Sequence, residues 1–335
     1  MDALLQIYHP EAPAFLTPFL SLPALERLRQ VGMNCGCEYT HFPRFAHLIP
    51  YSRWDHSLGV ALLLLRWGQS RECVLAGMFH DLMTPVFAHS VDFLNGDYLK
   101  QESTEEGLLD LITNDREISD FLAQLGIAPK QVSSDRMYPL LNQDAPRLCA
   151  DRLEYSLGNM VNYGFASETE MAEIMEDVVP GCAEGGIMEP VFQHPEQALA
   201  FSQKSLACCR VYVCDEDRYA MQRLSEVLAL AISRNCLSRE ELMGREPDVI
   251  RRMHSDPAVK QAFDRFVSME ELTRADWPGS GTGWRRIQAK KRYMDPLVRG
   301  RGRVSEIYSE YAEELGSYLA QSQDVWLTDI RDAGT

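Results

Sequence analysis

Two short stretches of this sequence place a histidine beside an aspartate, in the orders Asp55-His56 and His80-Asp81. Imidazole and carboxylate groups bind Mn, Fe, Co, Ni or Zn when several of them converge on one point. Neighbouring residues on a helix point about 100° apart, so such a pair converges best at a helix end. The apolar run at residues 74–79 predicts a helix that Pro85 soon stops. His80-Asp81 is therefore either a metal-binding pair or an ordinary polar helix end.

A metal site also needs ligands from distant parts of the chain. His56 precedes the apolar run that begins at Ser57 and is predicted in the first turn of a helix. Asp151 stands in an otherwise apolar helical stretch, where an uncompensated carboxylate would be costly to bury. A bound cation would remove that penalty, so His56 and Asp151 are candidates to join the pair.

Five stretches resemble, in the same order, motifs of the HD-domain phosphohydrolase superfamily, and in particular of its branch that contains the deoxynucleotide triphosphohydrolases. The resemblance covers roughly residues 24–160. The five stretches are Arg27-Leu-Arg-Gln-Val-Gly32, Arg53-Trp-Asp-His-Ser-Leu-Gly-Val60, Ala76-Gly-Met-Phe-His-Asp-Leu82, Phe87-Ala-His-Ser-Val-Asp92 and Asp151-Arg-Leu-Glu-Tyr155.

The resemblance implies a site for one divalent transition metal (Mn, Fe, Co, Ni or Zn, with Mg as a further option). Its ligands would be His56, His80, Asp81 and Asp151. Two-metal proteins of this fold use two more histidines between the His-Asp pair and the last aspartate. Between Leu82 and Ala150 this chain has only His89, so a single metal is favoured.

The same resemblance implies the residues that handle the substrate. Arg53 and His89 would contact a phosphate and Asp92 would orient His89, which makes these three the candidate catalytic residues. Tyr155 and Gln30 match positions that line the sugar side of a nucleotide pocket, so with Arg53 they are candidate substrate-binding residues. A metal would activate water and hold a phosphoryl oxygen, while Arg53 and His89 neutralise charge on the leaving oxygen.

Three positions depart from the triphosphohydrolase pattern. Thr84 and Thr104 stand where that branch has histidines, and Asn159 stands where a ribose-binding aspartate is expected. Threonine cannot carry positive charge at pH 7. The ligand set is intact, but hydrolysis of a triphosphate is not favoured by these replacements.

Helical periodicity dominates the elements that must position these residues. Apolar residues recur at helical spacing in five segments, residues 58–67, 73–80, 107–112, 118–125 and 218–232. Residues 284–298 are the best strand candidate, and turn-forming residues cluster at 129–146, 179–190 and 277–283. The fold is predicted to be mainly α, an HD-domain helical bundle at 20–240 with a small α+β C-terminal appendage at 241–335.

Composition narrows the class of protein. A net charge of −16 over 335 residues argues against general affinity for nucleic-acid backbones. The N-terminus lacks a basic leader and no apolar run is long enough to cross a bilayer, so neither secretion nor membrane insertion is predicted. Nine cysteines without a Cys-x-x-Cys motif favour reduced thiols and a cytoplasmic location.

The segment 285–303 reverses the local charge, with eight basic residues against Asp295 alone. It is either a surface for a phosphate-rich ligand, a regulator or a neighbouring subunit, or a solvated face that pairs with acidic residues elsewhere. Both interpretations stay open at this stage, as does homo-oligomerisation.

The sequence thus predicts a metal-dependent phosphohydrolase that acts on a nucleotide or a similar small phosphorylated metabolite through metal-activated water. One alternative is a nucleotide-binding sensor that keeps the metal site but catalyses little, consistent with Thr84 and Thr104. The other is a diiron oxygenase on the same fold, which the shortage of histidines disfavours.

Overall fold

The computed structural model describes residues 1–100 and 107–332, and helices dominate this part of the chain. Short 3₁₀ turns connect many of them. The α-helices are α1 (Asp2–Tyr8), α2 (Pro23–Glu26), α3 (Arg53–Arg66), α4 (Arg71–Phe79), α5 (His89–Asn95), α6 (Leu108–Asn114), α7 (Arg116–Gln124), α8 (Ala150–Asn162), α9 (Glu168–Asp177), α10 (Pro195–Val211), α11 (Asp215–Ser233), α12 (Glu246–Met253), α13 (Pro257–Val267), α14 (Val304–Ile307) and α15 (Ser309–Ala320). The mainly helical prediction is confirmed, and all five predicted segments fall on helices, namely α3, α4, α6, α7 and α11.

Helix α3 is the central element of the bundle. Its residues 56–64 are all buried, because the sequence from Ser57 to Leu64 is apolar or small on every face. Helices α1, α4 and α8 pack around it. A helix surrounded in this way can hold polar side chains only where neighbouring helices supply partners.

Helices α3 and α8 approach each other closely at two glycines. A Cβ atom at Gly59 would lie 2.5 Å from Oε1 of Glu154, and one at Gly158 would lie 2.5 Å from the Tyr51 hydroxyl. Tyr51 in turn donates a hydrogen bond of 2.5 Å to Oε2 of Glu154. The two glycines therefore leave room for a buried carboxylate between the helices.

Seven short strands form two small sheets. They are β1 (Val178–Cys182), β2 (Met188–Phe192), β3 (Leu272–Ala275), β4 (Arg285–Arg286), β5 (Leu297–Val298), β6 (Gly302–Arg303) and β7 (Trp326–Asp329). Within the described ranges the sheet orders are β1-β2-β5-β6 and β3-β7-β4, and the β2–β5 pair is parallel.

The predicted strand at 284–298 and the predicted turn region at 179–190 both differ from the structure. Residues 284–298 contain β4 and β5 at their ends, joined by an irregular segment. Residues 179–190 lie largely in the β1–β2 hairpin, in which Pro180 faces Pro190. Proline has no backbone N–H, but facing residues at every second position of an antiparallel ladder exchange no hydrogen bonds. Two prolines that face each other at such a position do not break the hairpin.

The C-terminal part of the chain packs directly on the rest. Strand β2 pairs with β5, and the apolar core runs continuously from Leu4 to Leu327. The division into 20–240 and 241–335 stays a prediction, while the structure joins the two parts through a shared sheet and core. No helix of the described ranges is long and apolar enough to cross a bilayer.

Several basic side chains of segment 285–303 pair with acidic residues or with backbone carbonyls. Arg285 pairs with Glu226, Arg286 with Asp324, and Arg303 with the buried Glu189. Lys291 donates to the carbonyl oxygens of residues 318, 319 and 321. These contacts are those of a basic face that pairs with acidic residues elsewhere in the chain. A role of the segment in binding an external anion stays a prediction.

The close approach of α3 and α8 generates a stability prediction. Gly59→Ala should lower the free energy of unfolding by about 1–3 kcal/mol, because the new methyl group would displace the Glu154 carboxylate. Chemical denaturation followed by circular dichroism measures this directly.

The matched control is Gly316→Ala in α15, where an added Cβ would meet nothing within 4 Å. That substitution should raise the free energy of unfolding by about 0.5–1 kcal/mol, since alanine restricts the unfolded chain and favours helix. Equal effects of the two substitutions would contradict a packing role for Gly59.

Candidate active site

The first turn of α3 positions Arg53 and His56. Ser52 caps the helix: its hydroxyl accepts from the backbone N–H of Asp55, and the Asp55 carboxylate accepts from the N–H of Ser52 at 2.9 Å. The reciprocal pair fixes the start of the helix. Arg53 and His56, three residues apart, therefore lie on the same face and point into the bundle.

The turn after α4 positions His80 and Asp81. The helix ends at Phe79, well before Pro85, and Nδ1 of His80 bonds to the carbonyl oxygen of Gly77 at 2.7 Å. Arg27 holds the turn by donating to the carbonyl oxygens of Leu82 and Thr84. The predicted helix end is therefore correct, but hydrogen bonds to the turn stabilise it more directly than proline does.

Helix α8 presents two carboxylates to one imidazole. Oδ1 of Asp151 lies 3.1 Å from Nε2 of His56, and Oε2 of Glu154 lies 2.5 Å from Nδ1 of the same ring. Asp151 and Glu154 share a face of the helix because they are three residues apart. His56 is thus held on both of its nitrogens by one helix.

Three of the four predicted ligands converge where α3, α8 and the turn after α4 meet, and the fourth, Asp81, lies next to them. Ligand atoms of His56, His80 and Asp151 all lie within 4.8 Å of one another. The two Nε2 atoms are 3.2 Å apart, and Oδ2 of Asp81 lies 3.9 Å from each of them. Among the residues that the structure describes, His56, His80 and Asp151 are the one group found with metal-binding geometry, and Asp81 is not part of it.

The hydrogen bonds of this cluster leave its ring nitrogens suited to a metal. Nδ1 of His56 donates to Glu154, and Nδ1 of His80 donates to the Gly77 carbonyl oxygen. When the rings are neutral, each therefore has a lone pair on Nε2. Two such lone pairs facing each other beside a carboxylate require a cation between them, either a proton or a metal ion. The donor set of two imidazoles and carboxylates fits a divalent transition metal.

Buried charges balance one another around the cluster. Burial favours a lower pKa for His56, but hydrogen bonds to Asp151 and Glu154 outweigh it and raise the pKa to about 10. Burial works against ionised Asp151, yet the His56 bond lowers the pKa of this aspartate to about 2. Burial also opposes ionised Asp81, while the charge of Arg53, 3.0 Å away, holds its pKa well below its usual range. Asp81 and Asp151 are therefore both ionised, which favours binding of a cation.

His89 forms a second unit beside the cluster. Its Nδ1 lies 2.9 Å from Oδ2 of the buried Asp92, and the orienting role of this carboxylate stays a prediction. Nη2 of Arg292 lies 3.0 Å from its Nε2. Burial lowers the pKa of His89 to about 4; the Asp92 bond opposes this shift, and the charges of Arg292 and Arg53 add to it. His89 is therefore neutral at pH 7 in this state.

The backbone that leads to His89 is strained. Phe87 and Ala88 have positive φ angles of 58° and 40°, which are unfavourable for residues with a Cβ atom. The buried Glu246 ties this turn to the approach to α3, because its Oε1 accepts from the N–H groups of Phe87 and Gly32. The strained turn starts α5 with His89 at its first residue.

The other predicted residues have varied surroundings. Tyr155 follows Glu154 on α8 with its ring 6.3 Å from that of Tyr212. Gln30 is exposed and lies close to the start of α3, since the next residue, Val31, accepts from the N–H of Arg53. Their substrate-binding roles stay predictions. Asn159 is buried and donates to the Tyr212 hydroxyl at 2.9 Å.

Thr84 and Thr104 are the two threonines that stand where the triphosphohydrolases have histidines. Thr84 donates to Oδ1 of Asp81 at 2.7 Å, so its hydroxyl orients a candidate ligand. Thr104 lies outside the described residues.

Sequence reasoning assigned no role to Glu154 or Glu246, and it considered Arg292 only as one member of the basic segment 285–303. Glu154 stands in the stretch that resembles the family motif, and its spacing of three from Asp151 was a usable signal. Arg292 and Glu246 are distant in sequence from His89, so no local pattern could connect them to it.

Comparisons with known proteins agree with this geometry. The HD domain family model matches residues 53–117, a range that includes His80, Asp81, His89 and Asp92. The protein called "Uncharacterized protein YdhJ" from Bacillus subtilis is 26% identical over 200 residues, 59% of this chain and 60% of its own length. "Metal-dependent phosphohydrolase cns2" from Cordyceps militaris is 29% identical over 113 residues, 34% of this chain and 32% of its own length.

The chain therefore spans less than two thirds of each of these curated relatives. A crystal structure of a hypothetical protein from Aquifex aeolicus superposes with a TM-score of 0.66 and 15% identity, covering 96% of this chain and 94% of that one. This likeness supports the fold along nearly the whole chain. The resemblance to the deoxynucleotide triphosphohydrolase branch stays a prediction.

The cluster generates a prediction about metal binding. The purified protein should take up about one transition-metal ion per chain, and Asp81→Ala should abolish uptake because too few donors remain. Glu154→Gln should weaken metal affinity by about tenfold to a hundredfold, because it removes the charge that orients and polarises His56. Elemental analysis and competition with a chromogenic chelator measure both effects.

Glu189→Gln is the control, since Glu189 is also buried but bonds to Arg303 instead. It should leave metal affinity unchanged whatever it does to stability. A wild-type protein that takes up no metal on reconstitution would contradict the site.

Proposed function

We propose that this chain is a metal-dependent phosphohydrolase, a proposal supported by the match of residues 53–117 to the HD domain family model. Its substrate is a nucleotide or a similar small phosphorylated metabolite. The observation that carries the proposal is the convergence of His56, His80 and Asp151 on one point, beside an arginine and a histidine–aspartate pair. The name of the relative cns2 supports the same class of reaction.

Each residue of the site has a task in this reaction. His56, His80, Asp81 and Asp151 would hold the metal, and a divalent ion there supplies polarisation of a phosphoryl oxygen and a lower pKa for water. Arg53 is buried and bonded to Asp81, so its guanidinium is fixed at the edge of the ligand cluster. A fixed cation in a buried site stabilises the charge that develops on a phosphoryl group.

His89 acts as the group that exchanges a proton near the phosphate. Its Nδ1 donates to Asp92, which leaves Nε2, the nitrogen next to Arg292, as the atom that can exchange a proton. A phosphate dianion near Nε2 would favour the protonated ring, opposing the effect of Arg292 and Arg53 on its pKa. The ring would take up this proton from solvent when the phosphate binds, and His89 could then give it to a departing oxygen.

The number of basic groups favours a short phosphate. Thr84, at the position where the triphosphohydrolases carry a histidine, uses its hydroxyl on Asp81. Threonine there adds no positive charge for a long polyphosphate. We therefore infer a monophosphate or another short phosphate ester as substrate, with orthophosphate as product.

The alternative of a diiron oxygenase is disfavoured because His89 is the one histidine between Leu82 and Ala150. The test that separates catalysis from sensing is a screen of phosphorylated metabolites with Mn, Co, Ni, Fe and Mg. Release of phosphate or of triphosphate supports an enzyme. Tight binding of a nucleotide without any release would replace the proposal with a sensor.

The role of His89 gives a prediction that separates chemistry from metal binding. His89→Ala should keep the metal and lose turnover by on the order of 10²-fold or more, because a positioned proton donor is removed. Metal content and kcat, measured on one preparation, test both halves of the statement.

His47→Ala is the control, because His47 is an exposed histidine upstream of α3. It should leave both quantities unchanged. Loss of the metal in His89→Ala would make His89 a ligand and would contradict the assignment.

Substrate length gives a further prediction. Deoxynucleoside triphosphates should be poor substrates relative to deoxynucleoside monophosphates, because the site lacks a histidine at position 84. Incubation of the metal-loaded enzyme with each nucleotide, followed by ion-exchange separation of the products, measures this. Efficient formation of deoxynucleoside and intact triphosphate would contradict it.

A further inference from the structure

We propose that Arg292, which lies outside the HD domain, is a phosphate-binding residue of the active site and contacts the same phosphoryl group as His89 and Arg53. The inference rests on the proposed function and deepens it. It means that the C-terminal basic segment completes the site, and that the substrate is recognised by its phosphoryl dianion.

The first support is the contact itself. Nη2 of Arg292 lies 3.0 Å from Nε2 of His89, the ring atom opposite the one that bonds to Asp92. An arginine donates and never accepts, so this bond requires the neutral ring with its lone pair on Nε2. The guanidinium therefore occupies the side of His89 from which a substrate phosphate would approach.

The second support is that the structure holds Arg292 in place although its backbone is neither helix nor strand. The carbonyl oxygen of Arg292 accepts from the buried Tyr318 hydroxyl at 3.0 Å, and that of Met294 accepts from the buried Tyr311 hydroxyl at 2.8 Å. The N–H of Asp295 donates to the carbonyl oxygen of Pro146 at 2.9 Å. These bonds come from α15 and from the loop before α8, and they hold the irregular segment in place.

The third support is the local concentration of positive charge. Arg53 and Arg292 both contribute to the low pKa of His89, so two guanidinium groups lie close enough to one imidazole to act on it. Arg285 and Arg286, in the same basic segment, instead end at Glu226 and Asp324, away from His89. Arg292 lies with Nη2 against Nε2 of His89.

The chemistry of this arrangement suits a phosphoryl dianion. A guanidinium offers five N–H donors in a planar fork that matches phosphate oxygens, so it can contact a phosphate while it remains near His89. A dianion between Arg292 and His89 would offset the repulsion that keeps the ring unprotonated. Substrate arrival would therefore let Nε2 of His89 take up a proton from solvent. The protonated Nε2 no longer accepts from Arg292, so both groups would then donate to the phosphate, and the proton on Nε2 is available to the leaving oxygen.

Binding of orthophosphate to the Mn²⁺-loaded protein tests the inference without requiring turnover. Isothermal titration calorimetry should show that Arg292→Gln raises the Kd for orthophosphate by on the order of tenfold to a hundredfold, as expected for loss of a charged hydrogen bond. Arg292→Lys should give an intermediate Kd because it keeps the charge but not the fork. Metal content should be that of the wild type in both variants.

Arg286→Gln is the matched control, an arginine of the same segment that is exposed and paired with Asp324. Its Kd for orthophosphate should stay within about twofold of the wild type, because an exposed ion pair contributes little. The melting temperature of each variant shows whether it is folded. If Arg292→Gln does not fold, the Kd of Arg292→Lys for orthophosphate provides the test.

Two results would overturn the inference: an unchanged Kd in Arg292→Gln, or no orthophosphate binding by the wild type. Failure of the proposed function looks different. A wild type that binds orthophosphate through Arg292 but hydrolyses no phosphate ester would refute the enzyme and leave Arg292 as the phosphate ligand of a sensor.

Discussion

The site depends on one interaction above all, the contact of His56 with two carboxylates of α8. Asp151 and Glu154 bond to opposite nitrogens of the same ring, which is almost fully buried. A buried imidazole with two such partners has a single orientation and one nitrogen directed at the other ligands. That nitrogen is Nε2, and His80, Asp81 and Asp151 lie around it.

This contact constrains the packing of the bundle. Glu154 can reach His56 only because Gly59 leaves space on α3, and Tyr51 satisfies the same carboxylate over Gly158. A larger residue at either glycine would separate the helices that carry the ligands. The close approach of α3 and α8 is therefore a requirement of the site as much as of the core.

Pairs of opposite charge keep the buried groups ionised. Arg53 neutralises Asp81 and Arg27 holds the turn that carries it, so the carboxylate stays charged without a solvent shell. His89 shows the opposite balance, because burial and two nearby arginines keep it neutral. The site thus combines an anionic ligand cluster with a cationic neighbour, an arrangement that suits a metal on one side and a phosphate on the other.

The sequence by itself determined the helical bundle and most residues of the candidate site. Apolar residues at helical spacing predict α3, α4 and α11 because burial of one face dominates helix formation. His56, His80, Asp81 and Asp151 could be selected together because each stands in a stretch that resembles a known motif. Tertiary structure alone decided the partners of those residues. Arg292 reaches His89 across 203 positions of sequence, and the β1–β2 hairpin forms where proline and glycine predict turns. Local spacing reports which residues share a helix face, whereas contacts between distant segments follow from how those faces pack, and the packing is a property of the whole chain.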